Sequence, residues 1–247
     1  MAAELVEPKP TLLEHLMEIR GRLIKVALFF FVVSAGCYGL SAGIFDALAA
    51  PAQGHLVFTH PVGGMMAYLK IAFMAGALLS SPYTLYHVLA FVGPALSPAR
   101  RRSLALALVV GYGLFTLGAW FGFHALPLAM RALMSFDRPG LRAMIDVDAY
   151  FRFVFMLVLG MGAAFETPLL LFYVAMGGFI SAATLSKHWR LAVLACLILG
   201  AMINPTPDIF SWLLVCLPLF ALYGVSVLVV AWAERRRARD QALILKA

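Results

Sequence analysis

The sequence of 247 residues is 63% hydrophobic and only 13% charged, with a formal net charge of +7. Soluble domains are about half apolar and a quarter charged, so this composition excludes a water-soluble protein and predicts an integral membrane protein. Because a helix needs about 20 apolar residues to cross a hydrocarbon core of about 30 Å, the chain has room for six to eight spans with short loops.

The first polar segment, residues 11–22, is predicted to form an amphipathic helix that lies on the membrane surface. Leu12, Leu16 and Ile19 recur at helical spacing, whereas the charged residues take other faces. The segment holds no short apolar run with a small-residue cleavage site, so we expect no removable signal peptide.

Six transmembrane helices are predicted to follow, in an all-α bundle. Their approximate bounds are residues 23–44, 66–92, 104–126, 150–180, 191–203 and 209–232. We expect a kink at Pro82, an end or bend at Pro127, and a structured loop from 128 to 149. The fifth apolar run is about 20 Å long as a helix, so we expect it to thin the bilayer locally. Residues 1–232 form one membrane domain, and 233–247 form a basic, soluble tail.

The positions of the basic residues predict the orientation. Six spans place both termini on one side of the membrane, and the nineteen Lys and Arg residues divide fourteen to five in favour of that side. The smaller group is Lys70, Arg131, Arg138, Arg142 and Arg152. By the positive-inside rule, both termini are expected in the cytoplasm. The charge of +7 is therefore mostly a matter of topology, with weak attraction to anionic membrane lipid, and nucleic-acid binding is not expected.

Glu166 lies near the middle of the predicted fourth span, with Pro168 beside it. An ionised carboxylate in hydrocarbon costs at least about 2.5 kcal/mol, so such a residue normally faces a cavity, finds a partner or stays protonated. One interpretation is a polar pocket that receives a polar group from a partner or substrate. The other is a protonated glutamate bonded to a neighbouring helix.

Two further acidic positions allow a functional and a structural interpretation. Glu18 shares a helix face with His15, while Arg20 points elsewhere, and the carboxylate can accept a guanidinium in a forked pair. The alternative is a solvated helix face. Asp208 ends a Pro-Thr-Pro-Asp turn and is interpreted most simply as a helix N-cap.

No catalytic motif is visible in the sequence, so an enzyme is not expected. The chain contains no nucleophile paired with a base, no HExxH and no glycine-rich phosphate loop. Cys37, Cys196 and Cys216 lie in apolar stretches without metal-ligand spacing and are interpreted as small hydrophobic residues. We therefore expect no metal and no cofactor.

Four segments, taken in order and on six spans, resemble the TatC family, the multispanning subunits of the twin-arginine protein translocase. The family pattern H-L-x-E-L-R-x-R-L corresponds to residues 15–23, with Ile19 at its second leucine. The other segments are SSPYTLYHVLAFVGPAL at 80–96, FETP at 165–168 and PTPD at 205–208. The match extends over nearly the whole chain.

The resemblance implies a glove-shaped helical protein in the bacterial cytoplasmic (inner) membrane. Its cytoplasmic face would recognise the twin-arginine signal peptides of folded proteins, whose export uses the proton-motive force. Single-span partner subunits of the TatA and TatB type would join it, and the chain would self-associate in a multi-copy complex.

The resemblance also implies roles for particular positions. Signal-peptide binding would involve His15, Glu18, Arg20, Phe91, Pro94, Arg100 and Arg101. Glu166 would face the intramembrane cavity, and Pro207 and Asp208 would lie in an outer loop. Met202, Ile203 and Trp212 would contact the single-span partners.

Several positions depart from the family pattern. Arg100 stands where the family usually has a glutamate that helps to hold the signal's arginines. Two like charges at about 4 Å repel by about 4 kcal/mol at an effective dielectric of about 20, and by less at an exposed loop. Trp212, Gly224 and Gly63 also replace polar residues usual in the family. The chain is therefore interpreted as a divergent member with altered cargo or partners.

Two alternative functions remain open at this point. One is a proton-coupled transporter of a small solute with Glu166 as the proton relay. The other is a scaffold that has kept the fold and lost signal recognition.

Overall fold

The computed structural model of the chain describes residues 12–52, 54–92, 101–135, 144–204 and 208–244. Nine α-helices make up most of this described part. They are α1 (Leu12–Cys37), α2 (Ser41–Ala49), α3 (Gly63–Val92), α4 (Arg101–Met134), α5 (Val147–Phe165), α6 (Thr167–Gly177), α7 (Ala182–Lys187), α8 (Trp189–Ile203) and α9 (Ile209–Ile244). Two short strands, β1 (Leu56–Val57) and β2 (Ile145–Asp146), pair in parallel, with Leu56 opposite Ile145.

Five helical segments in the described part are long and apolar enough to cross a membrane. They are Met17–Ala52, Gly63–Ala90, Ala105–Met134, Val147–Gly177 and Ile209–Arg239. α8 is a shorter apolar helix of 15 residues. The predicted all-α fold is confirmed, and five long spans with one short apolar helix agree with the predicted six.

The helix bounds differ from the predicted spans at four places. α1 is a single helix that includes the predicted amphipathic segment, and α9 continues through most of the predicted tail. α4 continues through Pro127. A proline often ends a helix in water, but in lipid the backbone groups after it can find hydrogen-bond partners only if the helix continues. The predicted fourth span is divided into α5 and α6 at Glu166.

Glycines bring the central helices close together. A methyl group added at Gly118 of α4 would lie 2.5 Å from the carbonyl oxygen of Met161 in α5, and one at Gly122 would lie 2.8 Å from that of Leu157. Gly118 and Gly122 are four residues apart and so share a helix face, the small-residue arrangement that lets membrane helices approach. α4 and α5 form the most extensive helix pair of the bundle.

The core lies between α3, α4 and α5. Phe151, Ile71 and Leu126 are among its fully buried side chains. Large apolar side chains on the outer faces, such as Val109 and Leu228, are 70% and 72% exposed. Such exposure fits residues that face lipid rather than water.

The two ends of the bundle differ in how the chain is held. At one end, β1 and β2 join the loop before α3 to the loop before α5, and the Tyr150 hydroxyl donates to the Leu48 carbonyl at 2.5 Å. At the other end, the Tyr223 hydroxyl of α9 donates to the Leu185 carbonyl of α7 at 2.8 Å. The N-terminal part of α1 lies at this second end, where Arg22 contacts the last turns of α3.

Candidate functional site

Glu166 lies at the junction of two helices. α5 ends at Phe165 and α6 begins at Thr167. Pro168 occupies the first turn of α6, where its missing N–H breaks no helical hydrogen bond. The helix therefore restarts within the membrane zone, and the Glu166 side chain at the restart is only 5% exposed.

The Glu166 carboxylate is poorly satisfied by the described residues. Neither oxygen makes a hydrogen bond of normal geometry within the described residues, although the backbone of Phe115 in α4 faces the group. Oε2 lies against α4 at Gly111, where an added methyl would be 3.3 Å from it. A buried polar group without a partner is costly, so a donor that reached this carboxylate would be bound favourably. The backbone of Phe115 belongs to a neighbouring helix, so both interpretations of Glu166 stay predictions.

A cleft of about 510 Å³ leads to Glu166 between α1, α3, α4, α5 and α6. Its walls are mostly apolar, but α3 contributes the hydroxyl groups of Ser80, Ser81 and Thr84. Each hydroxyl donates to a backbone carbonyl of its own helix, at 3.4, 2.7 and 3.1 Å respectively. These oxygens can therefore accept a hydrogen bond but have no free proton to give. Together with Glu166 they make the cleft a site for hydrogen-bond donors or cations.

The cleft continues toward the end of the bundle that carries the start of α1. A smaller cavity of about 250 Å³ shares Leu23, Val26, Thr84 and Val88 with it. This smaller cavity is also lined by Ile19, Arg22 and His87. The two cavities adjoin each other between α1 and α3, in order from the polar turn of α1 to the buried carboxylate, and together they are called the groove.

An ion pair stands at the mouth of this groove. Arg22 Nη2 donates to Glu18 Oε1 at 2.5 Å, and Arg22 Nη1 donates to the His87 carbonyl at 3.2 Å. The Glu18 side chain is 43% exposed and that of Arg22 is 24% exposed. Arg22 is therefore anchored against α3, while the carboxylate remains accessible. Arg20 is exposed on the same helix.

Other predicted recognition residues cannot be placed. Pro94, Arg100 and Pro207 lie outside the described residues. His15, Phe91 and Arg101 lie within helices, but their side chains are outside the described part. Their predicted roles stay predictions.

Asp208 caps α9, as the turn sequence predicts. Its Oδ1 accepts a hydrogen bond from the backbone N–H of Ser211 at 2.6 Å, which satisfies one of the free donors at the helix start. Asp208 also lines a cavity of about 810 Å³ with Arg131 and Phe210. The hydrogen bond to Ser211 agrees with the interpretation of Asp208 as a helix N-cap. The cavity beside Asp208 is compatible with a further role.

The three predicted partner-contact residues differ in their accessibility. Met202 is 67% exposed, whereas Ile203 is 8% exposed and packs against Gly160 of α5. Trp212 is partly buried and lies near Gly200, where α8 and α9 come close together. Among these three, Met202 presents the largest surface to another subunit.

Sequence reasoning missed a polar network at the opposite end of the bundle. Lys70 Nζ of α3 donates to Asp148 Oδ1 of α5 at 2.5 Å, and Thr59 donates through both its backbone and its hydroxyl to Asp146. These bonds, the Thr59 hydroxyl first, hold the pKa of Asp146 below its ordinary value of 3.8. The only local signal was a lysine near the start of an apolar span.

Fold and site together define the class of the protein: a polytopic α-helical membrane protein whose lateral groove ends at a buried carboxylate. The sequence profile of the family described as "Sec-independent protein translocase protein (TatC)" matches residues 14–218. The chain belongs to the TatC family of the twin-arginine protein translocase, and is thus a component of protein transport.

Curated relatives carry the same family name. The TatC protein of Helicobacter pylori strain J99 is 32% identical over 216 residues, which cover 87% of this chain and 86% of the relative. That of Aquifex aeolicus is 31% identical over 238 residues, which cover 93% and 98%. A crystal structure of the twin-arginine translocase receptor TatC matches with a TM-score of 0.80 at 31% identity, over 89% of this chain and 99% of that one. The predicted family is therefore confirmed.

Proposed function

We propose that this chain is the signal-recognising core subunit of a twin-arginine translocase in the bacterial cytoplasmic membrane. In this role it binds the signal peptide of a folded cargo protein and takes part in export driven by the proton-motive force. It is a transport component without catalytic chemistry of its own.

The observation that carries the proposal is the groove between α1 and α3, which is lined at one end by Arg22, the ion-pair partner of Glu18, and at the other end by Glu166. A twin-arginine signal consists of basic residues followed by an apolar segment of about 7–15 residues. The groove runs along α1 from Ile19 to Phe30, about 16 Å of helix, and its walls are apolar. The order of an acidic residue and then mostly apolar walls therefore follows that of the peptide, and the carboxylate of Glu166 lies beyond the apolar part.

Recognition of the arginines is proposed to begin at Glu18. A carboxylate accepts hydrogen bonds on both oxygens, so Glu18 can keep its bond to Arg22 and accept a second guanidinium on its free side. The bond from Arg22 to the His87 carbonyl keeps the first guanidinium away from that side. Arg100 is proposed to weaken this recognition by repulsion, which would make the cargo range of this chain narrower than that of relatives with a glutamate there.

Orientation and partners complete the proposal. The Glu18 end of the bundle would face the cytoplasm, as the distribution of basic residues predicts. Single-span subunits of the TatA and TatB type would pack beside α8, whose exposed apolar face includes Ile198 and Met202. Several copies would assemble in one complex.

Site-specific crosslinking tests the recognition site. A photoreactive residue next to the paired arginines of a signal peptide should crosslink to this chain, and Glu18→Ala should reduce the yield about tenfold, as expected for the loss of a charge-assisted hydrogen bond. Glu234→Ala, which removes a carboxylate of α9, is the matched control and should leave the yield unchanged. Equal crosslinking by the Glu18 variant and the wild type would remove Glu18 from the site.

Complementation separates this proposal from the two alternatives. A strain that lacks its own TatC should export a folded twin-arginine reporter when it carries this chain with its partners. A scaffold without recognition would assemble with the partners but export nothing. A solute transporter would instead show uptake in proteoliposomes that contain this chain alone, where a translocase core is inactive.

A further inference from the structure

A second groove opens between α4, α6 and α9, on another face of the bundle. It shares no lining residue with the Glu166 cleft and has a volume of about 470 Å³. Its α4 wall runs from Leu106 to Leu117, and its α9 wall runs from Leu222 to Arg236. Apart from Arg236 and the hydroxyl of Tyr173, its lining side chains are apolar.

One end of this groove has the chemistry of a membrane interface. The Arg236 guanidinium lies 5.3 Å from the centre of the Trp232 ring, and Trp232 stacks on Phe172 at 5.6 Å. Trp232 is 55% exposed, so the pair borders the open end of the groove. Tryptophan and arginine are enriched where hydrocarbon meets headgroups, which places this end at headgroup level.

The dimensions of the groove favour a narrow apolar chain. The α4 wall is about 16 Å long, close to the 15 Å or so of one leaflet's hydrocarbon. An acyl chain that lies parallel to the helices matches this length.

The charge at the open end favours an anionic headgroup. Four arginines, Arg235, Arg236, Arg237 and Arg239, follow Trp232 on α9, with Glu234 the acidic residue of that turn. The Arg237 guanidinium packs against Gly178 after α6, whereas Arg236 lines the groove. Arg236 is therefore the cation that can meet a phosphate, and the other arginines repel the amine of a zwitterionic headgroup.

We propose that the groove between α4, α6 and α9 binds an anionic phospholipid, with the phosphate at Arg236 and Trp232 and one acyl chain between the walls. Such a lipid fills the space between α4 and α9 and couples the end of α9 to the charge of the membrane.

Native mass spectrometry of the full chain in detergent tests this site. Phosphatidylglycerol and phosphatidylcholine with identical acyl chains are titrated separately, and the first should bind more tightly. Arg236→Gln should weaken phosphatidylglycerol binding about fivefold, the factor that corresponds to about 1 kcal/mol per basic residue near a membrane surface. Binding of phosphatidylcholine should not change.

Two further variants make the test specific. Arg190→Gln is the matched control, because Arg190 also lies over a tryptophan ring, that of Trp189 at 5.8 Å, but is not part of the groove. Its affinity for both lipids should equal that of the wild type. Val229→Phe should fill the groove and weaken the binding of both lipids. Since Arg236 is exposed, its variant stays informative even where the Val229 variant fails to fold.

Three outcomes would overturn the proposal. Equal affinity for the two lipids would exclude a headgroup preference, and equal losses in the Arg236 and Arg190 variants would show only general attraction to surface charge. Efficient crosslinking of Val225→Cys to a single-span protein, with no loss of lipid in the Arg236 variant, would assign the groove to a partner helix.

Discussion

Lys70 of α3 holds the first turn of α5 through Asp148. Its Nζ donates to Oδ1 of Asp148 at 2.5 Å and to the Asp148 carbonyl oxygen at 3.1 Å. The two side chains are 25% and 23% exposed, so the pair is partly shielded from water. Since α5 leads directly to Glu166, this contact positions the first half of the divided span.

Lys70→Met should lower the stability of the protein by about 1–3 kcal/mol, because it removes the donor to Asp148 Oδ1 and to the Asp148 carbonyl and leaves only the exposed Arg152 on the carboxylate. Thermal unfolding in detergent measures the loss. Arg152→Met is the control: Arg152 binds the same carboxylate at 3.1 Å but is 65% exposed, so its removal should cost less than about 1 kcal/mol. Equal losses in the two variants would contradict a specific role for Lys70.

Asp146 should make the stability depend on pH through its bond to Thr59. Its pKa in the folded protein lies below the ordinary value of 3.8, because the Thr59 hydroxyl and the Ala149 N–H bind the ionised form. The stabilisation is fully present above pH 3.8 and disappears as the pH falls through the lower, folded pKa.

Thr59→Val removes one of these bonds and raises the pKa of Asp146 toward its ordinary value. Wild type should therefore melt at a higher temperature than the variant at pH 6, and the difference should shrink when the pH falls well below 3.8. Ser135→Ala removes a hydroxyl that donates only to the Ala132 carbonyl, so its effect should not change with pH. A pH-independent effect of the Thr59 variant would remove Asp146 from the explanation.

Gly118 tests the close contact of α4 with α5. Gly118→Ala places a methyl 2.5 Å from the Met161 carbonyl oxygen and 2.9 Å from Gly162 Cα, so the helices must separate, at a cost of about 1–3 kcal/mol. Gly113 lies on the same helix with nothing within 4 Å of an added methyl. Gly113→Ala should therefore be neutral or stabilising by up to about 1 kcal/mol, since alanine favours the helix. The melting temperatures of the two variants, measured in the same detergent, test this difference in stability.

The spans and the capping of α9 could be predicted because each depends on local sequence. Hydropathy and length identify membrane helices without knowledge of their neighbours, and Asp208 follows two prolines in the sequence, each of which disfavours helix at the residue before it. The division at Glu166 could be predicted only in part: Pro168 marks the place, but a proline both bends helices and starts them. The sequence around Pro127 is as apolar as that around Pro168, but Pro127 lies inside the continuous helix α4.

The contacts that shape the site could not be predicted, because they join residues far apart in the chain. Lys70 and Asp148 are separated by 78 positions, and Arg22 and His87 by 65. The pair between Glu18 and Arg22 is different, since its spacing of four is visible in the sequence as an i, i+4 ion pair. Two arginines, Arg20 and Arg22, follow Glu18 within four residues, which hid the one that binds it.

Glu166→Leu should leave insertion and folding intact but impair export of a folded twin-arginine reporter, because it removes the acceptor at the deep end of the groove. Glu166→Gln keeps a polar group of the same shape and should retain more export than the leucine variant. Ser211→Ala is the control: Ser211 Oγ is also buried without a partner in the described part, but it lies outside the groove. Full export by the leucine variant would show that the carboxylate has only a structural role.

Met202 tests the surface proposed for the single-span partners. Met202→Cys should form a disulfide or a short crosslink with a cysteine scanned along the partner's span, because Met202 is 67% exposed on the short helix α8. Ile203→Cys should react poorly, since Ile203 is 8% exposed and packs on Gly160. Val109→Cys on α4, which is 70% exposed, controls for random collision in the membrane. Equal yields at positions 202 and 109 would mean that the partner has no preference for α8, and a preferred register at position 202 would identify the contact.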